Sequence, residues 1–98
     1  MTIDLNRDGT TLNVALTGRL DTTTAPQLEQ GLKPALEGVE TLVMDFAGLD
    51  YISSAGLRVL LSAQKVMNRQ GSMKVIHVSE IVNEVFEVTG FSDILTIE

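Results

Sequence analysis

The sequence predicts an α/β domain in which a mixed β-sheet, opened by an antiparallel hairpin, is packed with α-helices. Two segments of alternating apolar and polar residues flank Asp8-Gly9, a strong hairpin turn signal. From residue 25 onward, helical apolar stripes alternate with short apolar runs. This pattern gives the element order β-β-α-β-α-β-α-β. The 98 residues, 44% of them hydrophobic, are enough for one domain with one core, residues 1–98.

The first two strands have the period of half-buried strands. Residues 3–7 alternate apolar and polar side chains, and Leu12, Val14 and Leu16 do so after the turn. We expect Gly18 to end the second strand. Residues 19–24, rich in turn and capping residues, are then a loop.

The first helix is predicted to begin after Thr24 as N-cap, with Pro26 in its first turn. Its apolar stripe repeats every four residues at Leu28, Leu32 and Leu36. Pro34 lies inside this pattern, where it removes a hydrogen bond and crowds the carbonyl four residues back. We therefore expect a kink or a break near residue 31.

Residues 41–46 form a nearly continuous apolar run, which is typical of a strand covered on both faces. Residues 47–52 are interpreted as a connection. Ser54 is then expected to cap a long helix that ends near Gln70, with Gly71 just past its end.

The C-terminal third predicts a strand, a helix and a second short strand. Residues 73–78 form the strand, and Ser79 is expected to cap the helix that ends at Gly90. Residues 94–97 are interpreted as a short edge strand. The apolar stripe of the helix consists of Ile81, Val82, Val85 and Phe86.

Charge and composition exclude several function classes. The net charge of −6 argues against nucleic acid and against anionic membrane surfaces as partners. Apolar runs are far shorter than the roughly 20 residues that a membrane-spanning helix needs. The chain has no cysteine, and its first residues do not resemble a signal peptide. We therefore expect a cytoplasmic protein that does not insert into a membrane.

The residues that enzymes use are sparse. His77 is the only histidine, and neither serine of the pair Ser53-Ser54 is set in a nucleophile elbow. Asp45 and Asp50 have no nearby His or Cys to complete a metal site. No glycine-rich nucleotide loop is present. We expect neither catalysis, nor a cofactor, nor a metal.

The unusual segment is residues 50–57, Asp-Tyr-Ile-Ser-Ser-Ala-Gly-Leu, which puts two serines at the mouth of a helix. A helix N-terminus has unpaired N–H groups and a partial positive charge, so it favours an anion, including a phosphate on its own serine. Gly56 costs about 1 kcal/mol against alanine in a helix. Its presence predicts that another group approaches the backbone there.

This segment resembles the hallmark of STAS domains, the fold of anti-sigma-factor antagonists and of the cytosolic tails of sulfate transporters. The antagonist pattern is an apolar pair, then Asp-Ser-Ser or Asp-Ser-Thr, then Gly-Leu. The sequence departs from the family at Ser53, which replaces the aspartate, at Ala55, which replaces the second hydroxyl residue, and at Arg58, which replaces a glycine that commonly follows Gly-Leu. Further similar segments, in the same order, are Gly18-Arg19-Leu20-Asp21 with Thr22 to Ala25, Val43 to Leu49, and Val88 to Phe91.

The resemblance implies a partner switch. An unphosphorylated antagonist binds an anti-sigma factor that is also a serine kinase, and this frees the sigma factor. The kinase phosphorylates the antagonist, the complex falls apart, and a serine phosphatase restores the active form. The resemblance places the phosphorylated serine at Ser54, with Ser53 as second choice. It implies partner binding by Asp21, Thr22, Ser53, Ser54, Gly56, Leu57 and Arg58.

Alternatives stay open at four points. On local sequence alone, Ser54 is an ordinary N-cap. The stripe Arg58, Ser62, Lys65 and Arg69 is either a solvated face or a contact for an acidic partner, and Leu57 is either an exposed anchor or core. The alternative function is a constitutive STAS subunit of a lipid-transport ABC complex, without phosphorylation.

Overall fold

The computed structural model describes all 98 residues and confirms the predicted α/β fold. The strands are β1 (Thr2–Asp8), β2 (Thr11–Leu20), β3 (Thr41–Ile52) and β4 (Ser72–Ile76). The helices are α1 (Ala25–Ala35), α2 (Ser54–Gln70) and α3 (Glu80–Thr89), followed by a 3₁₀ turn at Phe91–Asp93. None of the helices combines the length and the apolar composition that a membrane crossing requires.

The four strands lie in the order β1-β2-β3-β4. β1 and β2 form the predicted antiparallel hairpin, with Gly9 at a φ of 63° in the turn. β2, β3 and β4 are parallel to one another, and α1 and α2 form the two crossovers between them. The carboxyl ends of β2 and β3 therefore meet at the same edge of the sheet.

The core lies on one face of the sheet. Met44 of β3 and its neighbours in register, Val14 and Val75, are fully buried. On the other face, Val43 and Asp45 are only half-buried. The prediction that residues 41–46 are covered on both faces is therefore wrong.

β2 and β3 are both longer than predicted. Gly18 does not end β2, since the chain continues at a φ of 108° to Leu20. Residues 47–52 are part of β3 and not a connection. The two strands extend together because the backbone groups of each form hydrogen bonds with those of the other. Two register shifts interrupt this pairing. Leu20 and Ile52 are both buried where it ends.

Helix α1 begins after Thr24 with Pro26 in its first turn, as predicted, but it does not break. It runs without interruption through Gly31 to Ala35. Pro34 is tolerated because it lies in the last turn, where the bond that it removes is one of the last of the helix. The predicted break near residue 31 is wrong.

Helix α3 has the predicted ends. The Ser79 hydroxyl accepts a hydrogen bond from the Val82 N–H at 3.2 Å, and Gly90 ends the helix at a φ of 81°. Its predicted core stripe is only half right. Val82 and Phe86 are fully buried, and the Phe86 ring lies 6.3 Å from that of Phe46, but Ile81 is 63% exposed.

The C-terminal segment does not form the predicted edge strand. β4 ends at Ile76, earlier than predicted, because His77 turns the chain with a φ of 57°. Residues 94–97 make a single bridge, in which the Val75 N–H donates to the Thr96 carbonyl at 2.9 Å. The preceding 3₁₀ turn leaves too little extended chain for a strand.

Candidate functional site at the start of helix α2

The site lies where β2 and β3 end side by side. The Ser53 N–H, directly after β3, donates to the carbonyl of Leu20, the last residue of β2, at 2.9 Å. Asp21 follows Leu20 and begins the loop that leads into α1. This bond therefore places the start of α2 beside the loop of residues 21–24.

The two serines at the start of α2 have different environments. Ser53, not Ser54, is the N-cap, because its backbone is still extended (φ −102°, ψ 176°) as it leaves β3. Its carbonyl accepts the Leu57 N–H at 3.0 Å, but its hydroxyl oxygen is buried without a hydrogen-bond partner. Ser54 is the first residue of the helix and is exposed. The prediction that Ser54 is the N-cap is therefore wrong.

The start of α2 is electrostatically favourable for an anion. The helix has 17 residues, none of them acidic, and no side chain caps its first N–H groups. These unpaired groups and the partial positive charge of the helix end favour a negative group at the first turn. A phosphate on Ser54 would be such a group.

Gly56 and Leu57 lie in the core. A Cβ on Gly56 would come within 2.6 Å of Leu20 Cγ and 2.9 Å of Ile52 Cγ1. The group that approaches this glycine is therefore the core and not a partner. Leu57 is 5% exposed, which selects the core interpretation for its side chain. Both residues position α2 and present no side chain at the surface.

The loop before α1 is held by a compact set of hydrogen bonds. Asp21 Oδ1 accepts from the Thr23 hydroxyl at 2.7 Å and from the N–H groups of Thr23 at 3.0 Å and Thr24 at 3.1 Å. The bond from the Thr23 hydroxyl, with these backbone bonds, lowers the pKa of Asp21. The Thr24 hydroxyl donates to the Arg19 carbonyl at 2.7 Å. Thr22 is left exposed in the middle of a fixed loop.

An open groove runs between this loop, the start of α1 and the first turns of α2. Two predicted site residues, Thr22 and Arg58, lie on it together. The α1 side of the groove was missed from the sequence because it depends on how α1 packs against α2. The lining residues are Thr22, Ala25, Pro26, Glu29, Ala55, Arg58 and Val59.

A second feature missed from the sequence is the pair of Arg19 and Tyr51. These residues are neighbours in the β2–β3 register, and the guanidinium carbon of Arg19 lies 4.3 Å from the centroid of the Tyr51 ring. Arg19 Nε also lies 3.9 Å from Asp21 Oδ2. Arginine and tyrosine are enriched among the residues that dominate protein interfaces. No pattern in the sequence signalled this pair, because residue 19 was predicted to lie in a loop and residue 51 in a connection.

The basic stripe of α2 is exposed along its length. Arg58, Ser62, Lys65 and Arg69 are all exposed, and none of the three cations is in an ion pair. This geometry fits both alternatives for the stripe, a solvated face or a contact for an acidic partner.

His77 lies on another part of the molecule, at the end of β4. Its Nδ1 is 2.9 Å from Asp45 Oδ1, which also accepts the Ala47 N–H at 2.9 Å. The bonds from Ala47 and then from His77 lower the pKa of Asp45. No three His, Cys, Asp or Glu side chains come together in an arrangement that could hold a metal ion.

The fold and this site define a STAS domain. The family described as "Mlab, STAS domain" matches residues 3–96, and the chain belongs to this family. It is 40% identical over 88 residues to the putative anti-sigma factor antagonist BtrV of Bordetella bronchiseptica, over 88% of this chain and 76% of that protein. It is 30% identical over 96 residues to the anti-sigma-B factor antagonist of Bacillus subtilis, over 97% of this chain and 88% of that protein.

Solved structures show the same fold. The anti-sigma factor antagonist SpoIIAA in its unphosphorylated form superimposes with a TM-score of 0.85 at 21% identity, over 99% of this chain and 88% of that chain. The predicted STAS fold is therefore confirmed by sequence relatives and by structure.

Proposed function

We propose that this protein is an anti-sigma-factor antagonist controlled by phosphorylation of Ser54. The unphosphorylated form binds an anti-sigma factor that is also a serine kinase, and the sigma factor is released. Phosphorylation of Ser54 dissociates the complex, and a serine phosphatase restores the binding form. Membership of the STAS family and the names of the two relatives support the antagonist role.

The observation on which the choice of serine depends is the contrast between the two hydroxyls. For transfer, the serine oxygen must reach the γ-phosphorus of ATP, form the new P–O bond, and lose its proton to a base as ADP leaves. The exposed Ser54 can present its oxygen in this way without a change in the fold. The Ser53 oxygen is enclosed, so the start of α2 would have to open first.

The same geometry explains how a phosphate would end binding. It adds about −1.5 to −2 charges and three oxygens to the surface. The start of α2 stabilises this charge within the fold, so the domain stays intact. A partner that is complementary to the neutral serine meets both bulk and an unpaired charge. The switch then needs no large conformational change.

The partner would contact three exposed side chains, and Asp21 would hold one of them in place. Thr22 and Arg58 lie on the groove, and Ser54 precedes Ala55 on its α2 side. Asp21 fixes the loop that presents Thr22. Arg58 would meet an acidic group of the partner.

The second candidate function is a constitutive subunit of a lipid-transport ABC complex. The exposed apolar side chains of Ile81 and Val88 on α3 favour it, since such a contact needs no modification. The antagonist role is preferred because both relatives are named antagonists and an exposed serine begins α2.

Titration of the host's cognate anti-sigma factor with serine variants tests the switch. Ser54→Ala is expected to bind like the wild type, and Ser54→Asp at least tenfold more weakly, about 1.4 kcal/mol. Ser62→Asp is the matched control, because Ser62 is exposed on the same helix about 12 Å further along. Equal affinities of the two Ser54 variants, or an equal loss for Ser62→Asp, would contradict the proposal.

A further inference from the structure

The outer face of α3 presents an apolar stripe to solvent. Ile81 is 63% exposed and Val88 is 82% exposed, while Val85 between them is half-buried. These residues follow one another at i, i+4 and i+7, so they form one row about 10 Å long. With Glu84 and Thr89 they line a shallow groove along the helix.

A row of three glutamates runs beside this stripe. Glu80, Glu84 and Glu87 have the same i, i+4, i+7 spacing and are all exposed. The helix contains no lysine or arginine, and none of the three carboxylates is in an ion pair. Like charges at these spacings, and a negative charge in the last turn, both disfavour a helix. Glu84 and Glu87 therefore cost the free protein stability, whereas Glu80 lies in the first turn, where a negative charge is favourable.

We propose that this surface, the α3 stripe of Ile81, Val85 and Val88 with its three glutamates, docks a basic amphipathic helix of a partner protein. The apolar face of that helix covers the stripe, and its lysine or arginine residues lie opposite the glutamates. When an amphipathic helix packs along a shallow apolar groove, its contacts are made by apolar side chains at i, i+4 and i+7. The α3 stripe has the same spacing. The charge complementarity supplies orientation and excludes acidic helices. This surface is distinct from the start of α2 and does not depend on Ser54.

Charge and the distribution of exposed apolar side chains argue against two other occupants, a second copy of this chain and an anionic lipid surface. In a symmetric pair of α3 helices, six glutamates would come together. The basic stripe of α2 on a second copy offers no exposed large apolar side chain, since those of the chain are Leu5, Tyr51, Ile81, Val88 and Ile94. An anionic lipid surface would repel the glutamate row.

The test is a titration of the ¹⁵N-labelled full chain, followed by NMR. The probe is a synthetic 14-residue peptide of leucine and lysine in an amphipathic helical pattern. Its control is a peptide of the same composition with the pattern scrambled. We expect saturable shifts concentrated at residues 80–89, and at least tenfold weaker binding of the scrambled peptide.

Three variants connect the binding to the stripe. Ile81→Ser with Val88→Ser is expected to weaken binding at least tenfold, and so is Glu84→Lys with Glu87→Lys. Leu5→Ser changes an exposed apolar residue on β1 and is expected to bind like the wild type. The lysine variant keeps the apolar stripe, so it carries the test if the serine variant does not fold.

Four results would overturn the proposal. The first is equal binding of both peptides, and the second is shifts spread over the whole acidic surface. The third is self-association that the stripe variants abolish, which would assign the surface to a second copy. The fourth is stripe-dependent binding to vesicles of anionic phospholipid, which would assign it to a membrane.

Discussion

Gly56 in the first turn of α2 packs directly against Leu20 at the end of β2. A Cβ at position 56 would lie 2.6 Å from Leu20 Cγ and 2.9 Å from Leu20 Cδ2. Leu20 is fully buried, so it has little room to move. We predict that Gly56→Ala destabilises the protein by about 1–3 kcal/mol, the usual effect of overpacking, although alanine is the better helix former.

Gly31 is the matched control for this prediction. It lies inside α1, and a Cβ at this position would meet nothing within 4 Å. Gly31→Ala should therefore raise the free energy of unfolding by about 0.4–1 kcal/mol. Urea unfolding measures both changes. Similar unfolding midpoints for the two variants would contradict the packing described for Gly56.

Ser53 and Ser79 are both N-caps, but only Ser79 accepts a hydrogen bond through its side chain. Ser79→Ala should cost about 1 kcal/mol, because the Val82 N–H loses its partner. Ser53→Ala removes a buried hydroxyl that has no partner, so its unfolding free energy should change by less than about 0.5 kcal/mol. Thermal unfolding measures the stability of the two variants. A larger loss of stability for Ser53→Ala than for Ser79→Ala would show that the Ser53 hydroxyl does form a stabilising hydrogen bond.

Asp21 should make the folded state sensitive to acid. Its pKa is lower in the folded protein than in the unfolded chain, so its contribution is complete above about pH 4 and is lost as the pH falls through the folded value. We predict that the stability difference between the wild type and Asp21→Asn shrinks as the pH is lowered from about 5 to about 2. Urea midpoints across this range measure it.

Thr23→Val provides the control for Asp21, because it removes the hydroxyl that contributes most to the lowered pKa. In this background, the pH-dependent part of the Asp21→Asn effect should be smaller than in the wild type. A difference that stays constant with pH in both backgrounds would show that the carboxylate does not act through these hydrogen bonds.

Arg58 should affect binding more than stability. Its side chain is exposed beside the groove and is not in an ion pair. Arg58→Glu should weaken binding of the cognate anti-sigma factor at least tenfold, while unfolding changes by less than about 0.5 kcal/mol. Arg69→Glu reverses the same charge about 16 Å away on the same helix and should bind like the wild type. An equal loss for both variants would point to net charge and not to a local contact.

Local signals in the sequence were sufficient for much of the fold. Asp8-Gly9 predicted the hairpin, and the capping residues Ser79 and Gly90 predicted the ends of α3. The ends of β2 and β3 were not predictable in this way. Gly18 is a strand terminator by local rules, and it continues the strand here because β3 pairs with it and shifts register.

The site was predictable only in part for the same reason. The pattern of residues 50–57 located the start of α2, but one additional residue of extended backbone decides which serine is the cap. The contact between Arg19 and Tyr51 joins residues 32 positions apart in the chain and depends on the register of β2 and β3. The α1 side of the groove depends on how two helices pack. Neither relationship has a local signature.

Phosphorylation of Ser54 can be detected by intact-mass spectrometry of protein purified from its native host. Peptide mapping across residues 50–58 then assigns the site. We expect a fraction of the protein to carry one added phosphate, located on Ser54, and none to do so in Ser54→Ala. A phosphate on Ser53, or a single unmodified mass under every growth condition, would contradict this expectation.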